Sequence, residues 1–179
     1  EQLRVIFYPS GIDQEESILI LFPNSYEKKQ REILFIRKTD EHIAIWEGAK
    51  LTKAQAKDIS GIQTIYWLED FESVFKKLST QCDTFYFNTN EHYRQSVATE
   101  TREDRFIKWC KKQYPAHSIT KSNPILQKLR SIKADEEIKQ LQTACDITEK
   151  GIRRLLSFLK PGIWEYELEA ELVHEFLRN

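Results

Sequence analysis

The hydrophobic period of this chain changes once, near Pro124, and that change limits its architecture more than any other feature. Before it lie short continuous apolar runs. Ser17-Ile18-Leu19-Ile20-Leu21-Phe22 is ended by Pro23-Asn24-Ser25, and Arg31-Glu32-Ile33-Leu34-Phe35-Ile36-Arg37 is bounded by charge. Runs of this length, rich in Ile, Leu and Phe between turn residues, read as buried strands. The polar segment from Asn24 to Gln30 has hairpin-loop length, so the two strands are expected to be antiparallel neighbours. Leu51 to Ile59 reads as a helix capped by Thr52 and broken by Gly61. Thr64 to Leu68 reads as a third strand. In the next segment, Glu69 to Leu78, the residues Phe71, Val74, Phe75 and Leu78 share one helix face. Thr84-Phe85-Tyr86-Phe87 is a fourth strand, and Arg102 to Tyr114 a helix with Phe106, Ile107 and Cys110 inward. Strands alternating with helices predict an α/β domain with a mixed β-sheet flanked by helices.

Beyond Pro124 the strand signal vanishes. Ile125, Leu126 and Leu129 mark a short helix. Ile138, Leu141, Cys145, Thr148, Ile152, Leu155, Leu156 and Leu159 recur at steps of three and four, which is one long amphipathic helix. Asp135-Glu136-Glu137 opens it, where the helix dipole favours negative charge, and Pro161-Gly162 stops it. A last helix runs from about Glu165 to Arg178. The expected division is an α/β domain over 1–120, then a linker and helices over 121–179 that open an incomplete second domain.

Composition narrows the function by exclusion. With 27 basic and 28 acidic residues among 179, the net charge of −1 gives no long-range pull on nucleic acid or an anionic membrane. No apolar stretch is long enough for a membrane-spanning helix, and the opening Glu1-Gln2-Leu3-Arg4 lacks a basic region followed by an apolar run, so no secretory signal is expected from it. The cysteines Cys82, Cys110 and Cys145 are far apart and odd in number, which predicts buried or half-buried free thiols in a reducing compartment, the cytoplasm. There is no G-x-S-x-G and no glycine-rich phosphate loop. Lys108, Lys111 and Lys112 beside Trp109 read as a solvated helix face. Glu171 and His174 stand at i and i+3 on one helix face, a spacing that serves di-metal helix bundles when a second copy faces it; no second copy exists here, so a solvated face is expected. In Ala44-Ile45-Trp46-Glu47-Gly48 a large aromatic precedes a glycine turn; on physical grounds alone such a Trp at a strand end is partial core.

Two segments carry a family resemblance. Ile45-Trp46-Glu47-Gly48-Ala49-Lys50-Leu51 resembles the "IW-x-G-x-x-L" turn in the amino-terminal domain of Xaa-Pro aminopeptidases. Arg130 with Lys133, then Glu136-Glu137-Ile138, the long helix, and Pro161-Gly162-Ile163-Trp164-Glu165-Tyr166-Glu167-Leu168-Glu169 resemble the opening of the pita-bread metallopeptidase domain. Gly11-Ile12-Asp13 before a strand is also similar to a turn of that family, while residues 1–10 depart from its pattern.

The resemblance implies the creatinase/prolidase amino-terminal fold followed by the first helices of a pita-bread domain. It implies a parent enzyme that removes the first residue of peptides with proline second. Two divalent metal ions, commonly manganese, would sit in that enzyme, held by two Asp, one His and two Glu. None of those ligands falls on a position of this chain, which would therefore be inactive alone. The front domain of the family covers the active-site mouth and mediates homodimers or homotetramers. Its tryptophan in the matching turn walls a neighbouring subunit's substrate pocket, a role that passes by resemblance to Trp46. The alternatives are a prolidase, which cleaves Xaa-Pro dipeptides, and a non-catalytic pita-bread relative that binds other proteins.

Overall fold

The computed structural model describes residues 2–38, 44–46, 48–89 and 99–179. It opens with α1 (Gln2–Ser10), closed by a hydrogen bond from the Gly11 amide to the Phe7 carbonyl at 2.7 Å with Gly11 at φ +67°. The sequence assigned this stretch no element, because the helix is short, lacks acidic residues in its first turn and carries Pro9 in its last.

The central sheet holds β1 (Ile18–Leu21), β2 (Glu32–Ile36) and β3 (Thr64–Trp67) in that order. β1 runs antiparallel to β2 with Leu19 opposite Leu34, as the loop length required, and β3 runs parallel to β2 with Leu34 opposite Ile65. The sheet is therefore mixed. Ile33, Leu34, Phe35 and Ile36 are all buried because β2 is the middle strand and both its faces are covered. Leu34 and Ile36 pack with Ile12, Ala56 and Ile62 on one face, while Ile33 and Phe35 pack with Leu78 on the other. The helix α2 (Lys53–Ser60) supplies Ala56 and makes the crossover that a parallel pair requires. Thr52 caps it, accepting from the Gln55 amide while Gln55 accepts from the Thr52 amide. Gly61 ends it in the left-handed region at φ +72°.

A short 3₁₀ turn leads into α3 (Phe71–Ser79), whose Phe71, Val74 and Leu78 face the sheet. Phe75 continues the core outward, against Phe85 of β4 (Thr84–Phe87) and against Phe106 and Tyr114, which lie in and just after α4 (Arg102–Gln113). β4 is joined by β5 (Ser118–Lys121), which the sequence reading missed. The reason is visible: β5 carries one apolar residue, Ile119, and is defined by backbone pairing at its ends, Ser118 to Asp83 and Ser122 to Phe87, each 2.9 Å.

The chain divides into two compact units, one of Glu1–Tyr86 with Val97–Thr120, the other of Phe87–Ser96 with Lys121–Asn179. The second unit holds α5 (Asn123–Ser131), α6 (Asp135–Phe158) and α7 (Glu165–Arg178). Asn123 fixes the start of α5 by donating to the Thr89 carbonyl at 2.8 Å and accepting from the Thr89 amide at 3.1 Å. α6 and α7 form a hairpin around Gly162, which sits at φ +90°. They meet closely at Gly151, where a Cβ would lie 2.8 Å from Leu172 Cδ1 and 3.0 Å from Phe176 Cε1. Arg154 of α6 clamps α7 through Glu171 at 2.5 Å and Glu175 at 3.6 Å. Much of the predicted apolar row remains exposed, including Ile138, Leu141, Leu156 and Leu159, with Phe176 and Leu177 of α7.

Candidate functional site

Residues 44–46 are helical, and within them Ile45 and Trp46 are 75% and 80% exposed. The partial-core reading of Trp46 is thus corrected: no core cluster of the first unit receives its ring, and two adjacent large apolar side chains stand in solvent. The segment that carries them leaves β2 after Ile36 and rejoins the fold at Leu51, just before the Thr52 cap.

Both ends of that segment are fastened to one tripeptide, Gln14-Glu15-Glu16. The Gln14 side chain is buried; its Nε2 donates to the Arg37 carbonyl at 3.4 Å and its Oε1 accepts from the Leu51 amide at 2.8 Å. Lys50, whose side chain is only 8% exposed, pairs with the Glu15 carboxylate. The hydrogen bond from Lys50, then Glu15's own backbone amide, holds that carboxyl below its ordinary range. Glu16 Oε2 lies 3.7 Å from Arg37 Nε, and its Oε1 lies 3.3 Å from Arg102 Nη1 at the start of α4. No sequence pattern marks this arrangement, since a Gln before two Glu reads as ordinary surface.

The other candidates resolve into structure. His42 and His92 lie outside the described residues. His117 stacks on Phe85 with centroids 4.6 Å apart and planes 7° from parallel, and its Nε2 is 2.8 Å from the Ser79 carbonyl. His174 is exposed, and Glu171 beside it is engaged by Arg154. Among the described residues no three His, Cys, Asp or Glu side chains converge to hold a metal ion. The Cys110 thiol is pushed up to about 12 by burial and Cys82 is also raised by burial, which leaves neither as a ready nucleophile. Cys145, expected to be at least half-buried, is exposed on α6. Lys108 pairs with Glu100, which interrupts the row of lysines on α4. A shallow groove of about 180 Å³ lined by Glu72, Lys76, Trp109, Gln113 and Tyr114 mixes both charges and offers no convergent set of polar groups. No helix of the described residues is long and apolar enough to cross a membrane.

Known proteins share this fold. Residues 1–86 match the family model described as aminopeptidase P, N-terminal domain. The Xaa-Pro aminopeptidase of Haemophilus influenzae is 24% identical over 176 residues, 97% of this chain and 37% of that protein. The Xaa-Pro aminopeptidase of Escherichia coli is 26% identical over 174 residues, 97% of this chain and 39% of that protein. A Bacillus anthracis protein assigned as an aminopeptidase P superposes with a TM-score of 0.86 at 32% identity, over 98% of this chain and 41% of that one. This chain therefore spans about two fifths of the length of the relatives it matches. Mixed sheet, flanking helices and matched sequence agree that this chain carries, in residues 1–86, the N-terminal domain of the aminopeptidase P family.

Proposed function

We propose that this chain is the non-catalytic amino-terminal portion of a metal-dependent Xaa-Pro aminopeptidase, and that it shapes the substrate cleft through Trp46. The observation that carries the proposal is the exposure of Trp46, 80%, with Ile45 beside it, on a domain of the aminopeptidase P family. A large flat apolar side chain held in solvent is costly to leave uncovered and fits a role as a wall for another surface. Proline's compact apolar ring packs well on an indole face, and a wall closing one end of a cleft limits which peptide bond can enter.

In the complete protein the substrate is a peptide with proline at its second position. The domain also contributes to a homodimer or homotetramer in which Trp46 of one copy reaches the cleft of another. Two divalent ions, manganese in this reading, would activate water in the part of the protein beyond these residues. The described residues supply no ligand set for them, and no chemical step is assigned to this chain. The exposed apolar rows of α6 and α7 fit a helix pair that forms one layer of a larger domain, and the domain boundary falls near residue 120. The free thiols suit a reducing compartment such as the cytoplasm.

The test uses the complete protein with added divalent metal, comparing release of the first residue from Xaa-Pro-Yaa tripeptides and from Xaa-Pro dipeptides. Tripeptide cleavage is expected to dominate, and preference for dipeptides would make the protein a prolidase instead. Trp46→Ala should lower kcat/KM for the tripeptide about tenfold or more, the scale of one lost apolar pocket contact, with the fold and oligomer retained. Unchanged cleavage with an unchanged oligomer would sink the role of Trp46.

A further inference from the structure

We infer that Gln14, Glu15 and Lys50 are positioning residues that set where Trp46 stands, and so act on peptide recognition without touching the peptide. The inference rests on the reading of Trp46 given above and extends it to residues that no motif marks.

The argument starts with geometry. Gln14 is one of few buried polar side chains in the first unit, 5% exposed, and both ends of its amide are used. One end holds the exit of β2 at Arg37, the other holds the amide of Leu51 where the chain returns. A buried amide satisfied on both sides fixes two backbone points relative to each other, because breaking either bond leaves a polar group unpaired. Glu15 adds an ion pair to the shielded ammonium of Lys50, one residue before Leu51, and Glu16 adds a contact to Arg37.

The tripeptide itself is anchored. Ile12 before it is fully buried in the main core, and β1 begins at Ile18 after it. Glu16 has φ +59°, the one non-glycine residue in the left-handed region among the described residues. A non-glycine residue there is strained and persists where surrounding contacts demand that turn. Three successive side chains at this turn reach the two ends of the Trp46 segment. A wall residue displaced by about 1 Å loses its contact, so the tether governs binding.

The experiment uses the complete protein and two readouts. Hydrogen exchange of amides over 44–51 should speed up at least tenfold in Gln14→Ala, with the amides of β2 unchanged. For an Xaa-Pro-Yaa peptide, Gln14→Ala and Lys50→Ala should raise KM at least fivefold and leave kcat within twofold. In a Trp46→Ala background the same changes should add nothing to KM. The exchanged pair Glu15→Lys with Lys50→Glu should recover part of the affinity lost in Lys50→Ala, and it keeps the inference testable if Gln14→Ala fails to fold. Unchanged exchange over 44–51 overturns the tether whatever the kinetics. Faster exchange with KM unmoved, when Trp46→Ala alone raises KM, overturns its role in recognition. If Trp46→Ala alone leaves KM unchanged, the reading of Trp46 itself has failed, and that single variant reveals it.

Discussion

Ile33, Leu34, Phe35 and Ile36 are sealed on both faces of β2, whereas Ile138, Leu141, Ile152 and Leu156 of α6 stay largely in solvent. Both are apolar patterns of the kind that drives folding, yet only one finds enough partners among these residues. A middle strand between two helical faces has every side chain covered. A two-helix hairpin has one contact line, here Gly151 against Leu172 and Phe176, and an apolar stripe wider than that line remains uncovered. The difference teaches that apolar periodicity announces burial without saying what does the burying. In the second unit the stripe stays uncovered among the described residues.

The contrast can be broken most sharply at the thiols. Burial raises the Cys110 pKa from 9.0 to about 12, which cuts its thiolate about a thousandfold at pH 8, while Cys145 is exposed. Thiol-labelling mass spectrometry should find Cys145 modified far faster than Cys110 in this chain. Comparable rates would mean that the first unit is not the sealed one. Loss of Cys145 labelling in the complete protein would sharpen the comparison, since it would show α6 covered there.

Next in size is Phe35→Ala. It removes a fully buried ring that contacts Phe71 at 5.2 Å between centroids, and should cost about 3–5 kcal/mol in urea unfolding of the first unit. A cost below about 1 kcal/mol would deny that this face of β2 is tightly packed. In the second unit, Gly151→Leu should cost about 1–3 kcal/mol by pushing α7 away, read by loss of helical circular dichroism at lower urea. Gly151→Ala should stay within about 1 kcal/mol of the parent, because the gain in helix propensity offsets the shift forced on two side-chain ends.

The smallest effect concerns Glu15. Its folded carboxyl titrates below the ordinary 4.5, so the pair with Lys50 contributes fully above that pH. The contribution is lost as the pH falls through the lower folded value. Lys50→Gln should therefore lower stability near neutral pH and matter progressively less below pH 4.5, as measured by thermal melts across that range. A difference that grows on acidification would reverse the sign and refute the pair.

Much of the fold was legible. β1, β2, β3 and β4, the Thr52 cap, the stop at Gly61 and the long α6 all stand where the apolar runs and turn residues put them. Two elements were not. α1 has a proline and no acidic residue in its first turn, and β5 has one apolar residue, so neither carries the periodicity from which elements are read. The site divides in the same way. Trp46 stood out because its neighbours resemble a family turn, but its exposure did not follow from residue type, which favoured partial core.

Local sequence settled what depends on near neighbours: which stretches are strand or helix, where caps and glycines end them, and which residues are apolar enough to seek burial. Tertiary structure alone decided that Gln14 and Glu15 meet the chain on either side of Trp46, because residues 23 and 35 positions apart are joined by hydrogen bonds and charge that leave no periodic trace. It also decided that β2 is covered twice and α6 only once, since coverage is a property of what packs on an element and not of the element's own residues.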